Sequence, residues 1–261
     1  MVQMHKLRLW FAIFTCLALP AQAAALRICV QNIDYYPHYD FSQLPGRGFA
    51  ADLFALFSAK TGQHIKLIPL PVKRLQDNPD CQLVYPDNPQ WHSAKGETEP
   101  LFFSQPLTGI IGSTLVRQGD AQLELAEVRA IAVPRGFTPD HLLAVQKGYN
   151  FELVETTDAT AAIQMLLKQR VDAADVEWHV ARHLLQKLGQ PQGAEIGRQL
   201  PLASVGFHLS SRDHGEMLRR FDRFLLQYHA EVIKLKARYQ LQSPADLQLE
   251  ATVPVADTSH P

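Results

Sequence analysis

Gly48-Phe49-Ala50-Ala51-Asp52-Leu53-Phe54-Ala55-Leu56-Phe57 carries Phe49, Leu53, Leu56 and Phe57 at helical spacing, and Gly62 stops the run just after Lys60. Immediately upstream, residues 26–30 form a short apolar strand that breaks at the polar, turn-prone run 31–37. Downstream, residues 65–70 read as a second strand and residues 82–85 as a third, entering a loop at Pro86. Strand, helix, strand, connection, strand is the pattern of a parallel α/β sheet.

The pattern then repeats. After Ser104-Gln105-Pro106, residues 110–116 are mostly apolar, and a polar stretch covers 118–127. Residues 130–133 read as a strand, and Gly136-Phe137-Thr138-Pro139-Asp140 reads as a turn opening a helix, with Thr138 as its cap and Pro139 at its first position. Residues 151–154, 160–167 and 171–176 continue as strand, helix, strand, and the extended run 202–209 carries the chain back. Two such units joined by crossing segments imply two lobes with a cleft between them. Met217, Phe221, Phe224, Leu225 and Tyr228 share one face of a terminal helix, and Val232, Leu235 and Tyr239 extend the apolar pattern. Beyond Leu241 the composition offers no Lys, no Arg and no amphipathic period, so a disordered tail is expected over 242–261.

The start of the chain has a different character. Lys6 and Arg8 precede an apolar run at 9–20, and Ala21-Gln22-Ala23 supplies small residues at the outer positions of a cleavage site. That order predicts a signal peptide over residues 1–23. The apolar run is too short for a membrane span, which needs about 20 residues. Cys16 lacks the small residues before it that lipid attachment requires. The remaining chain is expected to be periplasmic, with no membrane insertion after cleavage. The whole sequence has 25 Lys+Arg against 26 Asp+Glu, so there is no basic excess for nucleic acid.

Three short motifs, in order and at consistent spacing, carry a resemblance. Gly48-Phe49-Ala50-Ala51-Asp52-Leu53 resembles the GF-x-x-DL helix opening, Phe103-Ser104-Gln105-Pro106 the FS-x-P-Y turn, and Val171-Asp172-Ala173 the hydrophobic-DA strand of the bacterial extracellular solute-binding proteins of family 3. The similarity runs from Leu26 to about Leu241. It implies a type II periplasmic-binding fold, α/β throughout, in which two lobes joined by two crossing segments close over a small ligand. The lobes are expected at 24–112 plus 206–241 and at 113–205.

The family's ligand contacts transfer onto this chain as follows. Tyr35 or Tyr36 stands where an aromatic stacks on the ligand. Asn88 lies in Tyr85-Pro86-Asp87-Asn88-Pro89, where Ser or Thr groups usually meet a carboxylate. Trp91 offers a platform in the same loop. Thr138 sits at the helix start that meets a ligand anion. Glu177 takes the position of the acid that pairs with the ligand's ammonium. The Arg that grips an α-carboxylate is absent between Pro86 and Ser104, where Lys95 and His92 are the only candidate cations. An ammonium does not reproduce a guanidinium fork. Arg74 in Pro71-Val72-Lys73-Arg74 resembles a P-x-x-R seen in some relatives. The fold also implies that Cys29 and Cys81 lie on neighbouring strands, where they form either a disulfide or two buried thiols.

The resemblance implies a monomeric receptor for an amino-acid-like ligand or another small amine or carboxylate. Its partner is an ABC transporter permease or a membrane sensor. Two rivals stand beside it: a dehydratase-like enzyme using Glu177 and Lys95, and a sensor or accessory protein outside transport. No nucleophile elbow, Walker loop or dinucleotide fingerprint occurs. His179 and His183 stand four apart, but Val180 follows His179, so the pair lacks the H-E-x-x-H pattern of a zinc site. Neither cofactor nor metal is expected.

Overall fold

The computed structural model describes residues 24–75, 78–93 and 100–249; the expected leader, Lys95 and the last residues of the chain lie outside them. The first lobe begins with β1 (Leu26–Gln31), a small hairpin of β2 (Asp34–Tyr35) and β3 (Tyr39–Asp40), α1 (Phe49–Thr61), β4 (Ile65–Leu70), β5 (Leu83–Asp87) and α2 (Pro89–Ser93). β6 (Phe102–Phe103) and the long β7 (Thr108–Arg117) lead across to the second lobe. There β8 (Ala130–Pro134), α3 (Asp140–Gln146), β9 (Glu152–Thr156), α4 (Ala159–Leu167), β10 (Ala173–Glu177), α5 (Trp178–Lys187) and β11 (Ala194–Ile196) follow. The chain returns along β12 (Leu202–Ser211) and ends in α6 (Gly215–Gln227) and α7 (His229–Arg238).

The strands run in the order β4-β1-β5-β12-β7-β10-β8-β9, with β6 on β12 and β11 on β7. β1 is parallel to both β4 and β5 and almost wholly buried, which is why it reads as an unbroken apolar run. β7 and β12 are the crossing segments: they pair antiparallel from Leu202↔Ser113 to Phe207↔Thr108. Past that ladder β12 joins β5, and β7 joins β10. Because both crossings are paired strands, the covalent connections between the lobes lie side by side at one place.

α1 buries Phe49, Leu53, Phe54 and Phe57, and Phe57 meets Phe221 and Phe224 of α6 at ring separations of 4.8 and 5.1 Å. Its start needs glycine. Gly48 sits at φ +94°, and a Cβ there would lie 2.8 Å from the Tyr39 Cα. Cys29 and Cys81 are joined as a disulfide, packed against Leu75 and Val84 on the outer side of β1.

Two local expectations change. α3 begins at Asp140 with Pro139 before it, and Thr138 provides no side-chain cap. The Thr138 carbonyl accepts the Asp140 N–H, while the Pro139 carbonyl accepts from Leu142 and Leu143, so the backbone performs the capping and the hydroxyl is left exposed. Residues 242–249 are not a free tail. Gln242 and Gln240 bond to α5, and a single 3₁₀ turn spans Ala245–Leu247. Polar anchoring of this kind leaves no hydrophobic period to read in a sequence. No helix among the described residues is long and apolar enough to cross a membrane.

Candidate functional site

The hairpin after β1 sends successive side chains to opposite sides, as the two-residue period of extended chain requires. Tyr35 turns into the cleft. Its ring stacks on Phe137 of the second lobe at 5.5 Å and 16°, and lies 5.4 Å from Tyr39 and 6.1 Å from Phe207. Between the lobes here is a cavity of about 460 Å³. Tyr35, Tyr39, Trp91 and Phe207 wall it from the first lobe and the return strand, and Phe137 faces them. Gln31, Thr138 and Asp140 are its polar lining. The loop that offers Phe137 turns at Gly136, where φ is +90°.

Tyr36 goes the other way. It packs 4.4 Å from the His183 ring and 5.9 Å from Tyr239, in a separate hollow of about 470 Å³. The arginines around that hollow already have partners: Arg47 bonds Asp40 at 2.7 Å, Arg238 bonds Asp52 at 3.3 Å, and Arg182 bonds the Gln240 and Gln242 side chains. Burial, and then the Lys187 charge, lower the His183 pKa.

Glu177 does not line the cavity. It caps α5 and is buried, and its carboxylate is used up by the protein itself. One oxygen accepts from the Ile111 N–H at 3.1 Å and from His179 Nδ1 at 2.7 Å. The other accepts from the Val180 N–H at 2.9 Å and lies 3.1 Å from His38 Nε2, across the lobe boundary. Burial alone would raise this carboxyl, but the neighbouring His38 imidazole and the hydrogen bond from His179 outweigh it and hold the group well below the usual carboxylate range. The site reserved by the resemblance for a ligand's ammonium is thus filled by an imidazole of the chain.

His38, Glu177 and His179 place one donor atom each within 4.8 Å of one another, a set that invites the question of a metal. The hydrogen bonds answer it. His179 Nε2 accepts the Gln242 N–H at 2.9 Å, so the ring proton sits on Nδ1 and points at Glu177. A metal at Nδ1 would move that proton to Nε2, against the Gln242 donor. The cluster fits a proton network and not a cation.

Asn88 is also consumed. It is buried, donates through Nδ2 to the Gly206 carbonyl at 2.7 Å, and accepts the Gln90 N–H at 2.8 Å, so it holds α2 to the return strand rather than presenting an amide to the cleft. Asp87 turns to His92 at 2.8 Å and to the Ser210 hydroxyl, away from any carboxylate. Of the residues singled out from the sequence, Tyr35, Trp91 and Thr138 meet at the cavity; Tyr36, Asn88 and Glu177 do not, and Lys95 lies outside the described residues. His38, Gln31, Tyr39 and Phe207 went unread. The aromatic run Tyr35-Tyr36-Pro37-His38-Tyr39 was the available signal for two of them.

No protein-family model matches the chain, and no curated protein matches it. Solved structures do. The GluR0 ligand-binding core in complex with L-glutamate is 15% identical, with a TM-score of 0.63 over 85% of this chain and 100% of that one. The arginine-, lysine-, histidine-binding protein ArtJ from Geobacillus stearothermophilus is 16% identical, with a TM-score of 0.63 over 85% and 97%. The Bordetella pertussis BvgS VFT2 domain is 19% identical, with a TM-score of 0.64 over 82% and 93%. At these identities the likeness is one of fold: the chain has the two-lobed α/β architecture of periplasmic binding proteins.

Proposed function

We propose that the chain is an exported solute-binding receptor that closes in the periplasm around one small molecule and presents it to an ABC-type permease. The observation that carries this reading is the cavity walled by Tyr35 from one lobe and Phe137 from the other. A molecule touched by both walls binds the closed state better than the open one, and that difference in affinity drives closure. Tyr35, Trp91 and Thr138 are its proposed contacts. The missing arginine and the occupied Glu177 argue against an α-amino acid held in the usual way.

One feature favours a second role, as a sensor or accessory protein. The lobes also touch through His38 and Glu177 and through Tyr36 and His183, so the closed state has support of its own without a ligand. The enzyme reading loses ground for the same reason. A carboxylate already accepting from two backbone N–H groups and a histidine is a poor acid or base.

Thermal-shift screening of ligand-free, folded protein against amino acids, amines, carboxylates, short peptides and aromatic amides separates the roles. A true ligand at about 100 times its Kd adds about 2.7 kcal/mol of stability and raises Tm. No shift with any class would overturn the receptor reading. Small-angle scattering that shows a closed ligand-free form would favour the sensor.

A further inference from the structure

Resting on the receptor reading, we infer that the cleft takes an aromatic molecule, either uncharged with a hydrogen-bond-accepting edge or cationic, and that it discriminates against carboxylates. The walls set the shape. Tyr35 and Phe137 lie nearly parallel across the boundary, with Tyr39, Trp91 and Phe207 behind them, and such faces reward a planar ring through offset or edge contact.

The polar lining sets the pattern of hydrogen bonds. Gln31 is 8% exposed, and its Oε1 accepts from the Tyr39 hydroxyl. Its Nε2 makes no hydrogen bond with any described residue, and neither does the Tyr35 hydroxyl. Both groups border the open cavity, so an acceptor supplied by a ligand would meet donors there. The Thr138 hydroxyl, released from capping, stands on the opposite rim.

The charges set the sign. Asp140 lines the cavity, and among the described residues no lysine or arginine does. A carboxylate entering this space would lose hydration without meeting a cation among the described residues. An organic cation would meet aromatic faces and an acid.

Two matched pairs test the inference, each differing by a carboxylate: benzamide against benzoate, and phenethylamine against L-phenylalanine. Binding is read by titration calorimetry on the full mature chain. The expected result is that the carboxylate-free member binds at least about tenfold tighter in each pair. Asp140→Asn should weaken phenethylamine and leave benzamide unchanged, while Phe137→Ala should weaken both. Equal or tighter binding of benzoate or L-phenylalanine overturns the inference and leaves the receptor reading standing. Failure of all four compounds, in protein that responds to another class in the thermal-shift screen, also overturns it. Silence in both assays is the separate failure of the receptor reading.

Discussion

The second lobe meets the hairpin after β1 in two ways. At Tyr35 the meeting leaves a hollow lined by rings, with an amide donor and a phenol unspent. At His38, three residues on, it leaves no open space: the imidazole is fully buried with no hydrogen-bond partner for its Nδ1, Glu177 is 4% exposed, and both oxygens of that carboxylate are engaged. The difference teaches where recognition and cohesion reside. The position where the resemblance would put a ligand's ammonium is occupied by a side chain of the protein, and the space beside it stays open.

Breaking the closed side should have the largest effect. Glu177→Ala leaves His38 and His179 buried without their acceptor and uncaps α5, and it should cost about 3–5 kcal/mol in denaturant unfolding. Phe137→Ala, on a residue that is 42% exposed, should cost less than about 1 kcal/mol. The pH dependence sharpens the contrast. The Glu177 carboxyl is held far below its ordinary value of 4.5 in the fold, so its stabilisation is complete above that value and is lost as pH falls below it. Glu177→Gln should therefore flatten the fall in stability below about pH 4.5, while Phe137→Ala should leave the slope unchanged. Parallel slopes for Glu177→Gln and the parent would mean that the carboxylate is not held as described.

The disulfide offers a control remote from both contacts. Cys29 and Cys81 are 52 residues apart in sequence, and opening the bond should remove about 3–4 kcal/mol by freeing the unfolded chain. Because the bond lies outside the cleft, the reduced protein should keep its ligand preference at temperatures where it stays folded. A change in preference would tie the outer face of β1 to recognition.

Ending the chain at Leu241 should have a small effect, about 1 kcal/mol, through loss of the Gln242 N–H on His179 Nε2. Hydrogen exchange at the start of α5 is the suitable readout, since Val180 donates to the same carboxylate that His179 positions. Unchanged exchange there would show that the segment after α7 does not support the network.

Much of this fold could be read in the sequence because the residues that make it are local and periodic. Phe49, Leu53 and Phe57 mark α1, and the apolar run of β1 marks a strand buried almost throughout. The site was half legible. Tyr35, Trp91 and Thr138 sit in the cavity because their places in the chain follow from the strand and helix ends. Glu177 was placed correctly at the end of its strand, yet its partners were not, because His38 approaches from another lobe and no spacing relates the two. Asn88 misled for a similar reason: whether an amide faces a cleft or a neighbouring carbonyl depends on the β12 backbone, which passes far away in sequence. The polar anchoring of residues 240–242 on α5 left no pattern at all.

The account's central claim is that the Tyr35 side of the hairpin binds and the Tyr36 side does not. The direct measurement is the Kd of the tightest compound from the screen against Phe137→Ala and Tyr36→Ala, each checked for parent-like folding. The account predicts a loss of at least about tenfold for Phe137→Ala and a change within about twofold for Tyr36→Ala. A loss confined to Tyr36→Ala would place recognition in the arginine-lined hollow and contradict it.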